Sequence, residues 1–452
     1  MIDRLVIFGA TGDLTARFLL EGIAALRAAG ELPDGFSLTG VGREDWGDGK
    51  FREWAAAQLA RFAGDQPEEV RQAVVAAASY RAADVTDPAA VAAAVAGDGD
   101  RPVAVYLALP PAVFPAAVSA LRDAGLPAGS RIVLEKPFGE DLASALALNR
   151  LLAGVLPEQA IFRVDHFLHM TTVQNILSSR LANRILESAW NSAHIDLIEI
   201  IWEEDLALEG RAVYYDGVGA LKDMVQNHLL QVLCLVAMEP PVSLDERDLR
   251  DRKVDVLRSI RPLTDDDVIR CSRRARYLAG RIGDREIPAY VDEPGVDQAR
   301  QTETFAEVEL KLDNWRWSGT TFRIRAAKAV GGGRREVAVH FREVPQLPAA
   351  VRGESNVLRF GLEPESLRLE LTGVTGRLGV LGPLTLATEL GPPSLSAYGQ
   401  LLLDVLSHDA SLSIRGDEAE ESWRVVAPVL DGWARDIVPM GGYPAGSPGP
   451  AD

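Results

Sequence analysis

Arg4 to Phe18 read RLVIFGATGDLTARF. An apolar run with β-branched residues, Arg4 to Phe8, meets a short turn bracketed by Gly9 and Gly12, and Leu14 then opens a helical pattern that continues to Ala29. A strand, a glycine turn and a helix in that order aim backbone N–H groups at one point, where the helix macrodipole favours an anion. The glycines permit a tight turn and close approach of the backbone to a pyrophosphate. A GxxG pair alone is weak and fits a plain tight turn; the strand before it and the helix after it favour a nucleotide site. Its candidate contacts are Gly9, Thr11, Gly12, Asp13 and Leu14.

Outward from this stretch, strand-like runs recur: SLTGVGR from Ser37, VAVYLAL from Val103, SRIVLEKP from Ser130 and AIFRVDH from Ala160. Between the later ones lie the helical segments DPAAVAAAVAG, AVFPAAVSALRDAG and DLASALALNRLLAG. Strands alternating with helices of this length predict a Rossmann-type parallel sheet with helices on both faces. The second strand ends at Arg43 and Glu44. In dinucleotide-binding folds an acid here grips the ribose 2′-hydroxyl of NAD, and an Arg accommodates the 2′-phosphate of NADP. This chain has both; two solvated loop charges are the bland alternative.

From about residue 170 the pattern changes. DLIEIIWEE, TFAEVELKL, TFRIRAAK, EVAVHF, NVLRFGL and SLRLEL alternate with period two, as strands covered on one face do. They predict a large antiparallel sheet with helices, among them a long apolar helix from Ala220 to Met238 and two near the C-terminus. The expected organisation is a dinucleotide-binding domain over 1–165, a substrate and dimerisation domain over 166–440, and a turn-rich tail, partly disordered, over 441–452.

Composition narrows the function. The chain has 452 residues, 47% hydrophobic and 25% charged, with a net charge of −18. That charge argues against nucleic acid and anionic membranes as partners. No apolar run reaches the roughly 20 residues of a membrane span. The N-terminus enters a strand without a basic leader, and two cysteines, Cys234 and Cys271, make no disulfide framework, so a cytoplasmic location is expected. Lysine is scarce, six against 41 arginines, so each Lys has more reason to be a compact ammonium.

Acid–base chemistry has two candidate stretches. FRVDHFLHMTTVQN, from Phe162, holds Asp165, His166 and His169. The two histidines have a metal-like spacing, but no Cys/His cluster completes a tetrahedral site, and no metal is expected. KDMVQNHLLQ, from Lys222, holds His228, with Asp223 five residues before it. A satisfied core histidine on an apolar helix face is the bland reading of His228. Five residues is not a same-face α-helical spacing, so whether both face one sugar depends on where the helix begins.

Taken together, the motifs resemble the glucose-6-phosphate dehydrogenase family almost end to end: GATGDL, YLALPP (Tyr106–Pro111), EKPFGEDLASA from Glu135, FRVDHFL, EGR (Glu209–Arg211), KDMVQNHLLQVLCLVAMEPP, RWSGTTFRIRAAKAV from Arg316 and the closing YPAGSPGP. The resemblance implies an NAD(P)-dependent dehydrogenase that oxidises C1 of a hexopyranose to the lactone, acting as a homodimer or dimer of dimers. It implies that His228 is the general base and Asp165 the carboxylate behind it. Lys136, Glu204, Asp223 and Lys328 match the sugar-binding groups, His166 a phosphate-binding group, and Arg43, Leu109, Pro110 and Lys136 join the turn residues as cofactor contacts. NADP and NAD both remain open. The chain departs from the family where it reads Asp-His-Phe-Leu-His-Met instead of Asp-His-Tyr-Leu-Gly-Lys. A hydroxyl is lost at Phe167 and an ammonium at Met170, the family's basic run after GDL becomes Thr15, Ala16, Arg17 and Phe18, and Glu363 replaces a Gln. Charge-assisted hydrogen bonds contribute roughly 1.5–3 kcal/mol each, so these losses favour a sugar lacking a 6-phosphate, or one with a different C6 group. His169, Thr171, Thr172, Arg334 and Arg335 are the groups available to replace them. The alternatives are glucose-6-phosphate 1-dehydrogenase itself with a rearranged phosphate pocket and, from another class, a non-catalytic sugar or nucleotide sensor.

Overall fold

The structure is a computed structural model that describes residues 1–96, 101–344, 355–374, 376, 381–391 and 393–451. The chain divides into two compact units. One comprises 1–169, 242–250 and 393–420; the other comprises 170–241, 251–392 and 421–452.

The first unit is built on a six-stranded sheet of β1 (Arg4–Phe8), β2 (Ser37–Gly42), β3 (Ala78–Ala82), β4 (Ala104–Leu107), β5 (Arg131–Leu134) and β6 (Ile161–Arg163), in the order β3-β2-β1-β4-β5-β6. Every pairing is parallel. The order reverses direction beside β1, the switch point where doubly wound sheets bind ligands. β1, β4 and β5 are buried along their whole length, which is why they read as continuous apolar runs. The expected boundary at 165 misses a return of the chain: the helix Ala397–Ser407 packs on the helix Leu20–Ala29. Two glycines make that approach possible, since a Cβ on Gly22 would lie 3.0 Å from the Gly399 nitrogen. Ile2 N–H donates to the Leu406 carbonyl at 2.8 Å, and Arg131 to the Val405 carbonyl.

The second unit carries a nine-stranded sheet. Its strands are β7 (Ile195–Glu203), β8 (Ser272–Leu278), β11 (Phe305–Leu310), β12 (Thr321–Ala327), β13 (Arg335–Phe341), β14 (Val357–Leu362), β15 (Glu365–Val374), β16 (Leu381–Glu389) and β17 (Met440–Pro444); β9 (Gly280–Ile282) and β10 (Arg285–Ile287) form a separate hairpin. The order is β16-β15-β14-β13-β7-β12-β11-β8-β17. The sheet is mixed rather than purely antiparallel: β7 runs parallel to β12, and β17 parallel to β8. One face buries Ile198, Ile200, Val308, Ile324, Val337 and Val339. The other carries a charge ladder set by register: Arg325 bonds Glu307 at 2.7 Å and Glu203 at 3.2 Å, and Arg359 bonds Glu336 at 2.8 Å and Glu370 at 2.9 Å. The long apolar helix is two segments, 221–229 wound as π-helix and Leu230–Ala237 as α-helix. Buried donors collect its last carbonyls: Arg180 reaches Leu235, Trp190 Nε1 reaches Val236 and Trp317 Nε1 reaches Ala237, at 2.7 to 2.9 Å.

Where the sequence suggested a loose, turn-rich tail, its first residues add a strand to the second unit's sheet. β17 pairs with β8, and Tyr443 is 0% exposed. Among the described residues no helix is long and apolar enough to cross a membrane.

Candidate functional site

In the first unit the turn after β1 is fixed by its own geometry. Gly9 has φ +82°, and a Cβ there would meet the Ala108 carbonyl oxygen at 2.1 Å. The Gly9 and Ala10 N–H groups donate to Val41 O, closing the turn on β2. The segment after it begins as a π-wound stretch, Thr15–Leu19, before the α-helix. Thr11 is half-buried and Gly12 and Asp13 are exposed, so the turn presents polar groups outward; Leu14 and Leu109 are half-buried and Pro110 is exposed. At the end of β2, Glu44 accepts from Thr11 Oγ1 at 3.0 Å and from Tyr80 Oη at 3.1 Å, while Arg43 beside it is exposed. A strand–turn–helix that only glycine can make, a hydroxyl on the turn and an acceptor carboxylate at the end of β2 suit a dinucleotide.

Lys136 follows β5 in a loop with a cis Lys136–Pro137 bond. Its neighbour Glu135 accepts from Tyr106 Oη at 2.5 Å, and Tyr398 Oη approaches at 3.5 Å. Desolvation pushes the Glu135 carboxyl up to about 7, against the pull of Tyr106 and the Lys136 ammonium. Asp165 is 2% exposed and accepts the Phe167 N–H at 2.9 Å. Its segment is thereby wound into a short turn that presents His166, half-buried, with its ring stacked on Tyr398 at 5.9 Å. Tyr398 also stacks on Phe18 at 5.1 Å, which gives the unexpected Phe18 a partner. Phe167 is buried, so the position that loses a hydroxyl has become core.

In the second unit, β7 and β12 are parallel neighbours with Glu203 opposite Ala327, so the residues just beyond them emerge at the same edge. Those residues are Glu204 and Lys328, and they form an ion pair. Lys328 also lies 5.2 Å over the Tyr215 ring, and Glu204 accepts from Trp202 Nε1 at 3.3 Å. The tail braces this edge: Tyr443 Oη donates to the Lys328 carbonyl at 2.6 Å, and Gly446 N–H to Ala329 O at 2.8 Å. Asp223 accepts from Tyr214 Oη at 3.1 Å, and His228 is 1% exposed. The five-residue spacing acquires a different meaning here. Because 221–229 is wound with i→i+5 bonds, residues five apart lie about one turn apart, toward one face. Asn227 Nδ2 shows the same spacing, reaching Lys222 O at 2.8 Å.

Glu303 fixes where that winding begins. It accepts the Leu221 N–H at 2.9 Å, in the space left by Gly219, where a Cβ would lie 2.5 Å from its carboxylate. Desolvation pushes its carboxyl up to about 7, despite the Leu221 hydrogen bond and the charges of Arg274 and Lys222. A carboxyl raised in the fold stabilises most below its ordinary value near 4.5, and that contribution disappears as pH rises through about 7. Glu303→Gln keeps an acceptor for Leu221 but cannot ionise. Between pH 5 and 8 the wild type is expected to lose about 3 kcal/mol relative to the variant in urea unfolding. Parallel pH profiles would exclude Glu303 as the titrating group.

Of the groups that sequence reading offered as replacement phosphate donors, His169 and Arg335 are engaged by carboxylates, and the Arg334 guanidinium, 40% exposed, lies 3.6 Å from Glu199. His169 Nε2 lies 3.1 Å from Asp404 Oδ2. The Thr172 N–H, at the start of the helix Thr171–Ala182, donates to Glu365 Oε1 at 3.0 Å, so a carboxylate already takes that helix end. Arg335 pairs with Glu363 at 2.7 Å, and the Arg334 N–H donates to Glu203 at 3.0 Å. Tyr398, Tyr80, Glu303 and Tyr443 lay outside the sequence reading; each acts through a contact distant in sequence.

Two family models divide the chain between them: glucose-6-phosphate dehydrogenase, NAD binding domain, matches residues 6–175, and glucose-6-phosphate dehydrogenase, C-terminal domain, matches 177–452. With the doubly wound sheet, this makes the chain an NAD(P)-dependent oxidoreductase acting on a sugar CH–OH group. It is 35% identical to the glucose-6-phosphate 1-dehydrogenase of Zymomonas mobilis, over 100% of this chain and 96% of that one, and 40% identical to that of Mycolicibacterium smegmatis, over 99% and 94%. Among solved structures it is similar to a glucose-6-phosphate dehydrogenase in complex with its substrate glucose-6-phosphate, with a TM-score of 0.89 and 31% identity over 99% of this chain and 96% of that one. It is also similar to the Mycobacterium avium glucose-6-phosphate 1-dehydrogenase, with a TM-score of 0.87 and 34% identity over 99% and 95%. The chain belongs to the glucose-6-phosphate dehydrogenase family.

Proposed function

We propose that this protein oxidises glucose 6-phosphate at C1 to the lactone, as a glucose-6-phosphate 1-dehydrogenase. The observation that carries the proposal is the end-to-end likeness to enzymes of that name, one of them a complex with glucose-6-phosphate. The narrower reading from Phe167 and Met170, a sugar without a 6-phosphate, finds no support among these relatives. The burial of Phe167 accounts for its lost hydroxyl as a packing change.

The bound nicotinamide supplies the hydride acceptor. The chain's own groups do the rest. His228 takes the proton of the C1 hydroxyl, and Asp165 holds the imidazole tautomer and stabilises the imidazolium. Lys136, Glu204, Asp223 and Lys328 orient the ring hydroxyls, and the Glu204–Lys328 pair places a donor and an acceptor side by side for that task. His166 contacts the phosphate. With the hydroxyl and ammonium of the family pattern absent at 167 and 170, inorganic phosphate competes weakly. Reduced cofactor formed from glucose 6-phosphate, glucose and glucosamine, each with NAD and NADP, tests the proposal. Glucose 6-phosphate should give the highest kcat/KM; glucose turning over equally well would return the phosphate-free reading, and no turnover of any sugar would favour a sensor.

As part of this reading we infer a homodimer in which a second copy covers the charged face of the nine-stranded sheet. Within one chain the ladder acids Glu199, Glu203 and Glu307 are buried, but Arg323 and Glu309 keep 31% and 33% of their side-chain surface. A monomeric mass by light scattering at micromolar concentration would refute it.

A further inference from the structure

We propose that the cofactor end of this enzyme selects NAD over NADP, with Glu44, held by Thr11 and Tyr80, as the residue that decides. The proposal rests on the dehydrogenase reading and narrows its cofactor. Three elements converge on one carboxylate. Thr11 comes from the turn after β1, Glu44 from the end of β2 and Tyr80 from β3, and the two hydroxyls bind opposite carboxylate oxygens at 3.0 and 3.1 Å. Tyr80 is itself fixed, its ring 5.2 Å from Phe51 and 5.9 Å from Trp46, and its hydroxyl also lies 3.3 Å from the Glu44 carbonyl. The space exists because residue 42 is glycine: a Cβ there would lie 2.6 Å from both Glu44 Oε2 and Tyr80 Oη. Desolvation opposes the Glu44 charge, but hydrogen bonds from the backbone, Thr11 and Tyr80, with the neighbouring Arg43, outweigh it and hold the carboxyl below its usual range. The group is therefore an anion throughout the working pH range.

A fixed carboxylate at the end of the second strand of a doubly wound sheet faces the adenosine ribose. Each of its oxygens has two lone pairs, so bonds from Thr11 and Tyr80 leave acceptor capacity for the ribose hydroxyls of NAD. The same charge repels the 2′-phosphate of NADP. The opposing influence is Arg43, whose exposed guanidinium must lose side-chain freedom to bind that phosphate. A second cation would tip the balance; after the turn that position is open only to Arg17, which faces Asp13 at 3.5 Å in an exposed pair, since Phe18 stacks on Tyr398.

Direct binding of NAD and NADP to the full-length protein without sugar, by titration calorimetry, tests this, with 5′-AMP and 2′-AMP as fragment probes. NAD is expected to bind at least about tenfold more tightly than NADP, the size of one charge-assisted hydrogen bond. Glu44→Gln, which keeps the shape and an acceptor, should raise NADP affinity about tenfold and leave NAD within about threefold. Tyr80→Phe should move the ratio part of the way, because the carboxylate loses one anchor. Equal or tighter binding of NADP by the wild type, or an unchanged ratio in Glu44→Gln, overturns the proposal while the dehydrogenase reading stands. Binding of neither nucleotide overturns both.

Discussion

In His228→Asn, kcat for glucose 6-phosphate should fall by about 10²–10⁴-fold, the usual contribution of a positioned general base, while the dissociation constant for the cofactor stays within about twofold. A base acts on the proton only as the hydride leaves, so its removal raises the barrier without weakening ground-state binding. Asn is small and polar enough to occupy a site that is 1% exposed, so the variant should fold. Asp165→Asn should cost less, because it disturbs tautomer and orientation and leaves the base in place. Near-wild-type turnover of His228→Asn in single-turnover kinetics would remove His228 from the mechanism and leave it as a core histidine on an apolar segment.

That ambiguity about His228 shows where sequence reading stops. The parallel sheet was legible because β1, β4 and β5 are buried along their length and are separated by helical segments. The second sheet was legible through alternation, since Glu199, Glu307, Arg323 and Arg325 take one face and Ile200, Val308 and Ile324 the other. What could not be read was set by partners far away in sequence. ASYRA, now β3, has no strong strand signal and owes its pairing to β2. GGYPAGSPGP reads as loose turn, yet it packs backbone to backbone on β9: a Cβ on its Gly446 would lie 1.9 Å from Arg281 O, and one on Gly280 of β9 2.2 Å from Ala445 O. The expected α-helical phase between Asp223 and His228 failed for a local reason, the π-winding that follows Glu303 at Leu221. In the phosphate segment, the identities of Phe167 and His169 were plain, but the burial of the one and the Asp404 partner of the other were not.

The second large effect belongs to the turn on which the fold was first read. Gly9→Ala should abolish measurable cofactor binding, a loss above about 10²-fold, and lower thermal stability markedly. Alanine at φ +82° costs about 1–2 kcal/mol in backbone strain alone. The new Cβ would also lie 2.1 Å from Ala108 O, a backbone atom next to β4 that cannot turn aside. Either β1 and β4 separate at their C-terminal ends or the turn changes shape, and both outcomes move the N–H groups that would face the pyrophosphate. Gly12→Ala makes the contrast. Its φ is not positive, and its added Cβ meets only Gly9 O, at 3.2 Å, so the fold should hold with a small change in melting temperature. That Cβ nevertheless grows from an exposed position at the mouth of the turn, where a dinucleotide would approach most closely. Gly12→Ala should therefore weaken NAD binding about tenfold or more at nearly unchanged stability. If Gly12→Ala binds NAD as well as the wild type does, the turn is a structural device alone, and the pyrophosphate must be held by other residues.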